Sequence, residues 1–144
     1  MGIYVCGFLE LSSLDEEMLT QDYAWQSCIN LSSLSLNTGD ECSILFGEAK
    51  DEISTKWVPL AHRRGLPTNP GELTAQAARE ASATTSVWGF TFLCYEEMAT
   101  IDWQAYPAAI LDGSSYGWGL LSSLMKTLDE AGKHQRLVVW FDWS

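Results

Sequence analysis

Ile3, Val5, Leu9 and Leu11 share one parity in Ile3-Tyr4-Val5-Cys6-Gly7-Phe8-Leu9-Glu10-Leu11. A period of two in a segment rich in β-formers predicts an opening strand with one covered face. Gly7 within it marks either a bulge or the close approach of another backbone. At the far end, Arg136-Leu137-Val138-Val139-Trp140-Phe141-Asp142-Trp143 is continuously apolar from Leu137 to Phe141. Such a run predicts a central strand covered on both sides, and the two terminal strands are expected in one sheet.

Between Asp112-Gly113-Ser114-Ser115 and Gly132 the pattern changes to a period near 3.6, with Leu120, Leu121, Leu124, Met125 and Leu128 on one stripe. This predicts a core-facing helix over about 116–131, capped by Ser or Asp at its start and stopped by Gly132. Gly117 and Gly119 weaken its first turn, which implies close packing there or a later start. A shorter helix is predicted from Glu72 to Ala81, where an alanine-rich stretch follows Pro70, and it reads as mostly surface. Val87–Tyr95 reads as a strand leading into a helical turn at Glu96-Glu97-Met98, with Asp102-Trp103 closing it. Strands are further expected around Trp25–Leu31 and Ser43–Phe46. The elements add up to an α+β domain spanning 1–144: a mainly antiparallel sheet with both terminal strands, and the 116–131 helix packed on one face.

Charge adds a second pattern. Residues 1–52 hold ten carboxylates against one base, Lys50, so the net charge of −11 divides into −9 there and −2 in the remaining ninety-two residues. The carboxylates cluster as Asp15, Glu16, Glu17 and Asp22, then Asp40 and Glu41, then Glu48, Asp51 and Glu52. Clustered like charge costs stability through self-repulsion, repels nucleic acid and anionic membrane, and attracts a basic surface. A solvated surface that keeps a small protein soluble is the simpler account of the same residues. Seven Trp, five Tyr and five Phe supply the buried area of a folded domain, so the acidity belongs to a globular object.

The opening residues lack a basic n-region and Glu10 interrupts the apolar stretch, so a strand is read there rather than a signal peptide. No apolar run approaches a membrane span. The four cysteines, Cys6, Cys28, Cys42 and Cys94, form no CxxC pair and read as reduced and mostly buried, which implies a cytoplasmic setting.

No phosphate-binding loop, nucleophile elbow or zinc-protease motif occurs. His62 and His134 sit in no recognisable catalytic context, and His62 reads as a loop residue. Adjacent Glu96 and Glu97 diverge on either a helix or a strand, which makes them a poor acid–base pair. Asp15-Glu16-Glu17 lacks the alternating oxygens and turn glycine of a calcium loop. Arg63 and Arg64 are the one concentrated positive feature, suited to a phosphate or carboxylate, or to pairing with the acidic N-terminal part.

Arg64-Gly65-Leu66-Pro67, Trp88, Glu96-Glu97-Met98 and Asp102-Trp103, with Met1-Gly2 and Trp140-Phe141-Asp142 at the ends, resemble a set of small phage and prophage proteins. Those proteins open Met-Gly-Cys-Asp-Ile-His and carry His-Ser-His-Ser-Trp centrally. Their Asp and His fall here on Tyr4 and Cys6, and their central histidines on Thr84 and Ser86. The resemblance implies origin on a mobile element, with any metal or acid–base site of the relatives lost.

The expectation is a non-enzymatic phage inhibitor, anti-CRISPR-like, acting in the host cytoplasm without cofactor or metal. Its carboxylates Asp15, Glu16, Glu17, Asp22, Asp40, Glu41, Glu48, Asp51 and Glu52 would engage a basic, nucleic-acid-binding host protein by mimicking nucleic acid. It would bind neither nucleic acid itself nor membrane. The alternative is a small-ligand binder that stacks a nucleotide signal on Trp and closes on Arg63 or Arg64. Trp25 and Trp57 are the candidate aromatic contact anchors for a protein partner.

Overall fold

In a computed structural model, residues 2–36, 39–48, 58–101 and 117–143 are described, with only the backbone of Asp40. Four strands, β1 (Ile3–Ser12), β2 (Gln26–Asn30), β3 (Val87–Cys94) and β4 (His134–Trp143), form one antiparallel sheet in the order β2-β1-β4-β3. The terminal strands pair without interruption from Ile3↔Trp143 to Ser12↔His134. β4 is central, as its continuous apolar run requires, and its residues from Gln135 to Phe141 are all buried.

Alternation divides the sheet into two faces. The first carries Val5, Leu9, Leu137, Val139, Phe141 and Leu93, with Ile3 and Leu11 packed at its margin. Helix α4 (Trp118–Glu130) covers it with Leu121 and Met125, both fully buried, and with Leu124 and Leu128 partly so. Leu120 falls off this stripe and is 62% exposed, because one residue of a helix lies about 100° from the next. α4 ends as Gly132 predicts: Gly132 N–H donates to Asp129 O and Lys133 N–H to Leu128 O, the double bond of a left-handed stop. The helix starts at Trp118, later than the Asp112–Ser115 cap signals, which lie outside the described residues, as does Asp102-Trp103. Gly117 has φ +76, and a Cβ there would come within 2.2 Å of Leu34 O.

Ser43–Phe46, expected as a strand, is the end of helix α1 (Asp40–Phe46). A short apolar run does not reveal its own period. What decides it is the punctuation, Gly39 before and left-handed Gly47 after, with Cys42, Leu45 and Phe46 meeting the core on one helical face. The last carbonyls of α1 are satisfied from the following loop: Leu60 N–H donates to Ile44 O, Ala61 N–H to Leu45 O, and His62 Nδ1 to Phe46 O at 2.8 Å. His62, read as a loop residue, is thus a helix cap.

Helix α2 (Glu72–Ser82) lies on the second face. It is less superficial than expected, since Thr74 and Ala78 are buried and Ala77 and Ala81 pack against Phe8, Val138 and Trp140. Small side chains let it approach the sheet closely, where Trp140 stacks on Phe90 at 5.5 Å. The turn expected after β3 is helix α3 (Tyr95–Met98), closed by a Glu97 side chain that accepts from Cys94 N–H. Among the described residues no helix is long and apolar enough to cross a membrane.

Candidate functional site

The connection from β1 to β2 carries the first acidic cluster. Asp15, Glu16, Glu17 and Asp22 are all exposed, Glu16 and Glu17 on a single 3-10 turn, Glu16–Met18. Asp15, preceding that turn, makes no side-chain cap, so the carboxylates are not consumed in local capping. Among the described residues none of the four is in an ion pair.

Beneath this loop lies a buried ionic network. Glu10 and Arg136 are cross-strand partners, 0% and 5% exposed, and Arg136 Nε donates to Glu10 Oε1 at 2.7 Å. Gly71 N–H donates to Glu10 Oε2 at 2.6 Å, while Arg136 Nη1 and Nη2 donate to Asn69 Oδ1 and Asn69 O. Asn69 Nδ2 then donates to both Leu19 O and Gln21 O, at 2.8 and 2.9 Å, and Trp25 Nε1 donates to Leu19 O. The Trp25 ring completes the enclosure, 4.2 Å from the Arg136 guanidinium. Burial pulls the Arg136 pKa down and the Glu10 carboxylate opposes this; an arginine remains charged regardless. The result is an acidic loop whose backbone is fixed from below by a chain of bonds that starts at the sheet.

Gly71 is obligatory here, because a Cβ would lie 2.5 Å from Ser27 Oγ and 3.0 Å from Glu10 Oε2. Ser27 Oγ in turn shares a hydrogen bond with Thr74 Oγ1 and accepts from Thr74 N–H, holding the first turn of α2 to β2.

The other acidic positions are placed differently. Glu41 and Glu48 are each 7% exposed and turned inward. Glu48 accepts from Arg63 Nε at 2.7 Å, from Arg63 Nη2 and from Trp88 Nε1 at 3.0 Å. The side chain of Asp40 and all of Asp51, Glu52 and Trp57 lie outside the described residues. Trp25, expected as a surface anchor, is 7% exposed and forms the floor of the ionic network instead. Its position after a polar loop gave no sign that an arginine from β4 would cover it.

Arg63 and Arg64 both have carboxylate partners. Arg63 pairs with Glu48 of the acidic N-terminal part, while Arg64 forks onto Glu97 at 2.9 and 2.7 Å and also donates to Phe92 O and Leu60 O. The Glu48 hydrogen bond raises the Arg63 pKa and the Glu97 bond that of Arg64, and Arg64 holds the Glu97 carboxyl below the ordinary glutamate value. Glu96 diverges as expected, its carboxylate 3.8 Å from His134 Nδ1.

All four cysteines are thiols. Burial pushes the Cys42 thiol far up and the Cys6 and Cys94 thiols up as well, the opposite of an activated nucleophile. Cys28 is exposed because it occupies the irregularity where β2 shifts register between Leu9 and Glu10. Tyr4 and Val87 flank Asp142 on either side of β4, and Ser86 O accepts from Trp143 N–H. Tyr4 and Cys6 on β1 and Ser86 beside β3 thus lie on opposite sides of β4, which runs between them. Among the described residues no group of three or more His, Cys, Asp or Glu could hold a metal ion.

Glu10, Asn69 and Arg136 were not distinguished as site residues from sequence. The available signal was a glutamate inside a half-apolar strand and an arginine at the head of an apolar one, since charges in such places are rarely buried unless paired. No protein-family model, curated protein or solved structure matches the chain.

Proposed function

We propose that this protein is a non-enzymatic inhibitor of phage or prophage origin that binds a basic, nucleic-acid-binding host protein through the Asp15–Asp22 loop. The observation that carries the reading is a loop of four exposed carboxylates without ion-pair partners among the described residues, held rigid by Asn69, Trp25 and the Glu10–Arg136 pair. A free flexible loop loses conformational entropy on binding, and a loop fixed beforehand loses less. The carboxylates present anionic oxygens to lysines and arginines that otherwise track phosphates, in line with the anti-CRISPR-like reading of the sequence. Glu41 and Glu48, being buried, support the fold rather than the contact.

The small-ligand reading has weaker support. Both arginines that would close on a nucleotide are engaged by Glu48 and Glu97, so an anion would have to displace a carboxylate already in place.

Affinity capture from a host lysate, at low and high salt, tests the proposal. Replacing Asp15, Glu16, Glu17 and Asp22 by their amides should abolish capture of a basic protein while leaving the melting temperature unchanged or raised. Capture by wild type should fade between about 0.1 M and about 1 M salt, as the screening length falls from about 10 Å to about 3 Å, and nucleic acid should compete. Undiminished capture by the amide variant would refute the assignment.

A further inference from the structure

A hollow of about 260 Å³ opens where β1 runs out, beside the start of β2 and the turn from α4 into β4. Leu11 and Leu14 form apolar wall, the ring of Tyr23 stands at the rim 68% exposed, and Ser13 and Lys133 provide the polar end. Lys133 Nζ donates to Ser13 Oγ at 2.7 Å. An ammonium has three protons and no acceptor, and a hydroxyl that accepts one of them directs its own proton elsewhere. The polar end therefore presents spare donors. Lys133 is in no ion pair among the described residues, on a chain with a net charge of −11 and with Glu130 and Asp129 three and four positions before it. A cation held on a hydroxyl rather than a carboxylate retains its charge for a ligand.

We infer that this hollow binds a small carboxylate with an apolar body, its oxygens on Lys133 Nζ and Ser13 Oγ and its body between Leu11, Leu14 and the Tyr23 ring. Size sets the scale, since pockets for drug-sized ligands run from about 300 to 1,000 Å³, so a single ring or branched chain fits here. A phosphate suits the site less well. Phosphate is commonly gripped by an arginine fork or by several backbone N–H groups, and the nearby Leu14 N–H is already spent on Ser12 Oγ. The inference does not require that the acidic loop bind a partner, although two walls of the hollow, Leu14 and Tyr23, adjoin Asp15 and Asp22 of that loop.

Phenylacetate is the probe, with 2-phenylethanol and phenethylamine as isosteres that lack the negative charge. Titration followed by amide NMR shifts should saturate for phenylacetate, with shifts confined to residues 11–14, 23–26 and 133. Lys133→Met should weaken binding by about tenfold or more, the scale of a charge-assisted hydrogen bond, and Ser13→Ala by less. Lys126→Met, on the exposed side of α4, should leave affinity unchanged. Shifts that do not saturate, equal binding of the alcohol, or Lys133→Met binding as well as wild type with an unchanged melting temperature would each overturn the inference.

Discussion

Glu10 and Arg136 show how one residue pair governs a distant loop. With Arg136 replaced by alanine, the Glu10 carboxylate stays buried with Gly71 N–H as its remaining donor among the described residues, and breaking a buried pair in this way costs about 3–5 kcal/mol. Urea unfolding should show that loss. Asn69→Ala removes no charge, yet takes one of two donors from each of Leu19 O and Gln21 O, leaving them Trp25 Nε1 and Ala24 N–H; it should reduce stability by about 1–3 kcal/mol and speed amide exchange across residues 19–22. Arg64–Glu97 is a smaller case with a pH signature. Because the Glu97 pKa lies below the ordinary value of about 4.3, its contribution is full above that value and is lost as pH falls through the lower, folded one. Glu97→Gln should therefore melt below wild type at neutral pH, and the gap should close under acid conditions.

Elements in this fold are positioned by where backbones can touch. Gly7 has φ +125 and a Cβ there would lie 1.9 Å from Val138 O, so Gly7→Ala collides with the central strand at a conformation L-residues avoid. Gly132 is also left-handed, at φ +80, but nothing lies within 4 Å of its missing Cβ. Gly132→Ala should cost only about 1–2 kcal/mol, whereas Gly7→Ala should leave little folded protein; circular dichroism of both variants separates them. In α4, Leu121→Ala should cost about 2–5 kcal/mol and Leu120→Ala very little, a contrast measurable by denaturant titration.

At the scale of the whole molecule, the acidic surface and the arginines are not two opposing patches. Arg63, Arg64 and Arg136 each have a carboxylate partner inside the chain: the first two join the loop at 60–65 to Glu48 after α1 and to helix α3, and Arg136 with Glu10 holds the Asn69–Gly71 segment to the sheet. Gly65 N–H adds a bond to Phe90 O, and Arg64 N–H one to Thr91 Oγ1, so the loop lies along the outer edge of β3. What remains for an electrostatic partner among the described N-terminal acids is the loop carrying Asp15, Glu16, Glu17 and Asp22. Asn69→Ala should accordingly weaken partner capture with every one of those charges intact, and the salt dependence should keep its slope because the same charges still make contact.

Periodicity in the chain already determined the opening strand and most of the core stripe of α4, because each has a repeat that buries one face, while a continuous apolar run marked β4 and alanine-rich propensity after Pro70 marked α2. Glycines at 117 and 132 likewise announced a close contact and a stop. Tertiary structure alone decided three things. It made Ser43–Phe46 helical, since so short an apolar run fits either period until its flanking glycines meet a core. It separated the carboxylates into exposed ones at 15–22 and buried ones at 41 and 48, which have the same charge in sequence and differ only in what folds over them. And it brought Glu10, Asn69, Trp25 and Arg136 together, because pairing between residues 126 positions apart depends on strand register, and register is set by the packing of the whole sheet.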